Sequence, residues 1–192
     1  MQVFELEVLP WTIVLLSMIY LILLLQQSHW CWLFGIASSG LSYIVFQPKL
    51  FFESLLYLYY VAIGIYAWRD WLKKGVKNNS RVRRLSIRSH AFLLIFQIAL
   101  VTLIGYLFKS KQDDLKSFVS ERPYADAFTS IFSVVATFLE ARRYLVSWLY
   151  WIVINFFSVW LYLKVQEPVL AGQMAAYGLL SMLGFWRWKK LS

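Results

Sequence analysis

WLYWIVINFFSVWLY, Trp148 to Tyr162, decides the class of this chain. It is apolar enough to sit in hydrocarbon, yet it keeps Asn155 and Ser158 near its middle. Trp148, Trp151, Asn155, Ser158 and Tyr162 follow spacings of three, four, three and four, which on a helix make one continuous stripe. A polar group in hydrocarbon must find a partner in protein or in a wet cavity. Two readings of the stripe stand side by side. Asn155 and Ser158 are hydrogen-bonding glue between helices, at about 0.6 kcal/mol per bond. Or they form a binding surface with the indoles beside them, whose faces stack on flat rings and attract cations.

The rest of the chain is of the same kind. Of 192 residues 60% are hydrophobic, and the mean hydropathy is +0.60. A soluble domain averages about 45–50% apolar residues, whereas a bilayer core requires roughly 17–25 per crossing helix. Seven spans can be read: Val8–Leu25, Trp30–Phe46, Leu50–Trp71, Ala91–Phe108, Tyr124–Leu139, Tyr144–Leu163 and Pro168–Trp188. The breaks are short and polar: Gln26-Gln27-Ser28, Gln47-Pro48-Lys49 and Gln166-Glu167-Pro168. Pro48 and Pro168 each open a helix, where the missing N–H is no loss. The class is an all-α membrane protein with seven transmembrane helices. The first span is no secretory signal peptide, because Glu5 and Glu7 flank it in place of Lys or Arg.

The net charge of +9 reads as topology rather than nucleic-acid binding. Of the 19 Lys and Arg, thirteen fall on one side of the membrane if the N-terminus lies outside. They are Arg69 to Arg88 in the linker after span three, Arg142 and Arg143, and Arg187, Lys189 and Lys190. The cation excess faces the cytoplasm, which places the N-terminus outside and the C-terminus inside. The basic linker is a solvated topology determinant, able also to touch anionic headgroups.

A weak internal repeat divides the spans. Trp32, Ser39 and Tyr43 recur as Trp151, Ser158 and Tyr162 at an offset of 119, and Tyr57, Gly64 and Trp68 recur as Tyr177, Gly184 and Trp188 at 120. Three helices, one linker helix and three more make a SWEET-like 3+1+3 arrangement of two parallel three-helix repeats. The segments are a first repeat over 1–72, a basic cytoplasmic loop over 73–89, and a linker helix over 90–109. An external loop over 110–123 and a second repeat over 124–192 complete the chain. Such halves enclose a midplane site at their interface.

Other candidates are graded against plainer roles. Ser38 and Ser39, with Gly35, hold the corresponding place in span two, where small residues also mean close helix packing. Tyr57 lies deep in span three and is echoed by Tyr177. Glu53 lies one turn inside the outer edge of span three. Glu53, Asp126 and Glu140 each could attract a cation. Asp126 could equally cap a helix N-terminus, and Glu140 pair with Arg142 or Arg143. No carboxylate or histidine stands mid-span, which favours a facilitator over proton coupling. Cys31 is the single cysteine, and with only His29 and His90 no His/Cys metal site can be assembled. No catalytic motif is present, so the reading is not an enzyme and no cofactor is implied.

The run DAFTSIFSVVATFLEARRYLVSWLYWIVINFFSVWLYL, Asp126 to Leu163, resembles the second half of the PnuC vitamin transporters. The resembling pattern is Asp126, Ser133, Ala136, Arg142-Arg143, Trp148-x-x-Trp151 and Asn155. Trp32-x-x-Gly35 and Gly64-Ile65-Tyr66-Ala67-Trp68 agree more loosely with the first half. The resemblance implies facilitated diffusion of an unphosphorylated B-vitamin across a bacterial inner membrane, with a cytoplasmic kinase trapping it. Self-association is also in keeping with it. Where the nicotinamide-riboside type carries amides, this chain has Tyr57, Gly64 and Leu183. A lining with fewer partners for hydroxyls leads to thiamine as the expected substrate and nicotinamide riboside as the alternative. A sugar carrier or a non-transporting membrane scaffold are the rivals. The expected lining is Trp32, Ser38, Ser39, Glu53, Tyr57, Trp148, Trp151, Asn155, Ser158 and Tyr177.

Overall fold

A computed structural model describes residues 2–46, 51–73, 82–110 and 122–192, with side chains among them except those of 2–8, 46 and 51–53. The described residues form seven helices and no strand: α1 Gln2–Leu25, α2 Cys31–Phe46, α3 Phe51–Lys73, α4 Ile87–Ser110, α5 Pro123–Ala141, α6 Val146–Lys164 and α7 Pro168–Lys189. A helix stands at each of the seven expected positions. Pro48 and most of the two expected loops lie outside the described residues. Three helices, α4, α6 and α7, are long and apolar enough by length and composition to cross a membrane, and shorter apolar stretches run over Leu9–Leu25 and Cys31–Val45.

Local chemistry explains where the helices end. α1, α5 and α6 stop with the same cap. Gln27, Arg143 and Gln166 take positive φ of 55°, 60° and 58°. The next residue's N–H then reaches back five places, Ser28 to Leu23, Tyr144 to Leu139 and Glu167 to Tyr162. This left-handed cap satisfies carbonyls that a helix end leaves orphaned. Polar residues tolerate that conformation at the exits, which is why the glutamine-containing breaks were readable. Pro168 opens α7 as expected, and Pro123 opens α5 in the same way. Asp126 does not cap α5: Arg122 stands at the cap position and Asp126 falls in the first turn, where an acid still complements the helix dipole. α4 starts three residues earlier than the basic loop suggested. Ser86 caps it, accepting the Ser89 N–H at 3.1 Å. Pro10 lies inside α1.

The chain forms two compact units, residues 1–81 and 82–192. In the first, α2 packs against both α1 and α3; in the second, α4 packs on α5, α5 on α6 and α6 on α7. The linker helix α4 thus groups with the second unit. Gly105 lets the Tyr124 ring lie directly against α4. Deeper in, the Tyr150 hydroxyl donates to Gln97 Oε1 at 3.0 Å, and Gln97 is fully buried. Tyr150 continues into a cluster with Phe132, Ala136, Leu139 and Ile154. Much of α4 faces outward with large apolar side chains, among them Phe92, Ile95, Phe96 and Leu103, as a lipid-facing helix requires. Tyr150→Phe should therefore lower the unfolding free energy by about 1 kcal/mol, read in mixed micelles, because it strands the Gln97 carbonyl.

Each unit is pinned by an edge-to-face indole pair. Trp32 meets Trp71 at 5.5 Å and 85°, and Trp148 meets Trp188 at 5.3 Å and 85°. These equivalents differ by 116 (32 to 148) and 117 (71 to 188), not by 119 and 120. The two indole contacts thus match at an offset one helical turn away from the sequence match. Tryptophan recurs every three or four residues here, so identity alone could lock onto a neighbouring turn.

Candidate functional site

The site is built on α6, along the stripe from Trp148 to Tyr162. Trp148 is fully buried and lies where a side chain at Gly184 would have to go. It is a packing residue between α6 and α7. Trp151, one turn on, is half-buried and points its indole N–H at Glu140, donating to Oε2 at 2.5 Å. Glu140 is only 1% exposed near the end of α5. Glu140 thus accepts the indole, and Arg142 lies over the Phe138 ring at 5.5 Å. A charge-assisted hydrogen bond of this kind is short and strong, so it sets the Trp151 ring.

Asn155 is buried and faces α7. Its Nδ2 donates to Ser181 Oγ at 3.3 Å, and Ser181 Oγ in turn donates to the Tyr177 carbonyl at 2.8 Å. Gly178 allows this approach: a side chain there would meet Phe156 and the Asn155 Cβ. The nitrogen end of the amide is therefore interhelical glue. Its Oδ1 has no hydrogen-bond partner among the described residues. Ser158 is buried one turn further along. Tyr177 is half-buried, with its hydroxyl accepting from Gln173 Nε2 at 2.9 Å. Glu140, Trp151, Asn155, Ser181 and Tyr177 thus join α5, α6 and α7.

In the first unit the expected residues divide differently. Ser38 is glue: its Oγ lies 2.7 Å from Ser17 Oγ and donates to the Ile13 carbonyl at 3.3 Å, tying α2 to α1. Trp32 is buried between Tyr20 and Trp71. Tyr57 packs edge-on against Tyr60 at 6.1 Å. Ser39 is half-buried. On the indole-pair register Ser39 takes the place of Asn155, and Gly64 that of Ser181, so the hydroxyl partner is missing there. The Glu53 side chain lies outside those described. Among the described residues the first unit thus offers aromatic rings beside the buried hydroxyls of Ser38, Ser42 and Ser54.

Two of the departures that pointed to thiamine do not bear on a lining. A side chain at Gly64 would meet Ile36 at 2.8 Å, which makes Gly64 a close contact between α2 and α3. Leu183 is 58% exposed. Ser181, Gln97 and the Glu140–Trp151 bond went unread in the sequence. Their signals were a polar residue i+26 away on another helix, an amide amid an apolar run, and a carboxylate with nearer arginines to claim it. Among the described residues no group of three or more His, Cys, Asp or Glu could hold a metal.

Known proteins agree with this architecture. The solved structure titled "Crystal structure of the Vitamin B3 transporter PnuC" superposes with a TM-score of 0.69 over 95% of this chain and 81% of its own, at 23% identity. The nicotinamide riboside transporter PnuC of Haemophilus influenzae is 27% identical over 142 residues, 72% of this chain and 59% of that protein. Its Neisseria mucosa counterpart is 27% identical over 173 residues, 83% of this chain and 64% of that protein. The Escherichia coli one is 24% identical over 151 residues, 66% of this chain and 62% of that protein. The chain spans about three fifths of the length of these curated relatives. All three carry nicotinamide riboside in their names, and none carries thiamine, which favours the alternative substrate over the first. The family described as Nicotinamide mononucleotide transporter matches residues 7–190, and the chain belongs to it, as a multi-pass membrane protein of the PnuC transporter family.

Proposed function

We propose that the chain carries an unphosphorylated pyridine nucleoside of the nicotinamide riboside kind, by facilitated diffusion across a bacterial inner membrane. The observation that carries this is the half-used amide of Asn155. Its nitrogen is anchored on Ser181, and its Oδ1 is left as a fixed acceptor one turn from an indole fixed by Glu140. A flat cationic ring suits the indole face, and a ribose hydroxyl or carboxamide N–H suits the acceptor. Ser158 and Tyr177 are proposed to complete the contacts on this unit. The seven helices are proposed to form two parallel triplets joined by α4, with the N-terminus outside. A cytoplasmic kinase acting on the delivered nucleoside would supply direction.

Thiamine remains a second reading on one observation: Tyr57 stands where the nicotinamide-riboside type has an amide. Binding to purified protein in detergent tests both, with nicotinamide riboside, its 5′-phosphate and thiamine in parallel. Nicotinamide riboside should bind at least tenfold more tightly than the other two. Equal or tighter binding of thiamine refutes the substrate, and no binding of any ligand points to a scaffold. Asn155→Ala should weaken nucleoside binding about three- to tenfold, the worth of one hydrogen bond. It should cost folding only about 0.6 kcal/mol.

A further inference from the structure

At the other end of α6 from Lys164 lies a cavity of about 300 Å³, lined by Arg84, Leu85, Leu145, Leu149, Phe185 and Lys189, among others. It is held open by backbone. The Arg83 N–H donates to the Arg143 carbonyl at 2.8 Å, and the Leu145 N–H to the Arg83 carbonyl at 2.9 Å. These two bonds fix residues 83–85 beside the start of α6. Arg84 is placed from the far side as well. Its Nε and Nη2 donate to Ser192 Oγ at 3.3 and 3.0 Å, and that hydroxyl donates to the Lys189 carbonyl at 2.9 Å. Lys189 is steadied over the Trp186 ring at 5.4 Å. Two cations are thus tied to one wall of a cavity whose other walls are leucine and phenylalanine.

The position narrows the occupant. α6 begins at Val146 and α7 ends at Lys189, so the cavity sits where apolar spans give way to headgroups. Leu149 and Trp186 are both exposed beside it, facing the depth of acyl chains. The start of α6 has no side-chain cap, which leaves its positive end toward the same place. Arg83, Arg187 and Lys190 add charge at this end. Among the described residues no acid lines the cavity.

We infer that this cavity is a site for one anionic phospholipid of the adjoining leaflet, with its phosphate held by Arg84 and Lys189 and an acyl chain laid over Leu85, Leu149 and Phe185. Basic recesses between membrane helices take such headgroups by the same physics. The site is separate from the substrate contacts on the other turns of α6 and stands without them.

Native mass spectrometry of the full chain, released from detergent micelles doped equally with phosphatidylglycerol and phosphatidylcholine, tests it. One phosphatidylglycerol should be retained per chain, in clear excess over phosphatidylcholine. Each near-surface charge is worth roughly a fivefold preference, so the double variant Arg84→Gln/Lys189→Gln should lose roughly thirtyfold. Lys164→Gln, at the opposite end of α6, should lose nothing. Leu149→Trp keeps both charges and narrows the acyl wall, and it should also shed the lipid. Equal retention of the two lipids, retention by the double variant, or an equal loss in Lys164→Gln overturns the inference. So does full retention by Leu149→Trp, which answers alone if the double variant fails to fold. Displacement by millimolar inorganic phosphate would show a free-anion site in place of a lipid one.

Discussion

Trp148→Ala should lower the unfolding free energy by about 3–5 kcal/mol, the usual cost of emptying a buried tryptophan site. The same change at Trp160 should cost under about 1 kcal/mol. Both residues lie on α6, and both count alike in any hydropathy sum. Trp148 is 0% exposed and Trp160 51%. In a bilayer, association of helices gains little from expelling apolar surface, because lipid is as apolar as leucine; packing contacts carry it instead. Trp148 makes those contacts edge-on with Trp188 and face-down on the notch at Gly184. Its removal leaves a void that α7 cannot close without losing its own register on α6. The contact can also be tested from the other side. Gly184→Ala pushes a methyl into the ring and should cost about 1–3 kcal/mol. The double variant Trp148→Phe/Gly184→Ala should be more stable than the sum of its parts, since a smaller ring gives the methyl room. Unfolding in mixed micelles, followed by tryptophan fluorescence and by circular dichroism, measures these variants and Trp148→Phe alone, which completes the cycle. Equal losses at Trp148 and Trp160 would remove the notch from the account.

How legible was this in the chain? The number and order of helices were, because apolar runs of membrane length admit few other backbones. The exits at Gln27 and Gln166 were readable as breaks, though not their left-handed caps, which depend on bonds to carbonyls five residues back. The stripe on α6 was readable as one face, but a face does not say what lies opposite. Trp148 and Trp151 are three residues apart and share that stripe. One meets a glycine and packs; the other meets a carboxylate and is oriented. Partners on α5 and α7 decide the difference, and no spacing within α6 encodes them. The repeat shows the same dependence. Matching by identity pairs Trp32 with Trp151 and Trp68 with Trp188, whereas the indole contacts are Trp32 with Trp71 and Trp148 with Trp188. Ser38 had been grouped with Asn155, yet its hydroxyl is spent on α1, a helix outside the matched pair.

Glu140→Ala should weaken nucleoside binding at least tenfold and lower stability by about 1–3 kcal/mol, while Glu140→Gln should retain most of both. The carboxylate does not need to touch the ligand for this. It accepts the Trp151 indole N–H, and the ring so held is the proposed stacking platform. Alanine removes the acceptor and leaves a donor in a dry setting, which costs the desolvation of that group. The freed indole can then turn about its χ angles, and binding must re-order it, which takes the difference out of affinity. Glutamine keeps an oxygen in reach, so the platform stays placed although the bond loses its charge assistance. The two variants separate orientation from electrostatics. If the negative charge itself draws a cationic ring, Glu140→Gln should fail as badly as Glu140→Ala, and binding of an uncharged reduced nucleoside should be untouched by either. If the carboxylate positions Trp151, Glu140→Gln rescues, Trp151→Phe reproduces the loss, and Glu140→Ala adds nothing further in the Trp151→Phe background. Titration calorimetry on the four proteins, with unfolding midpoints alongside, distinguishes the two, because a residue that served stability alone would move the midpoint and leave affinity per folded molecule unchanged.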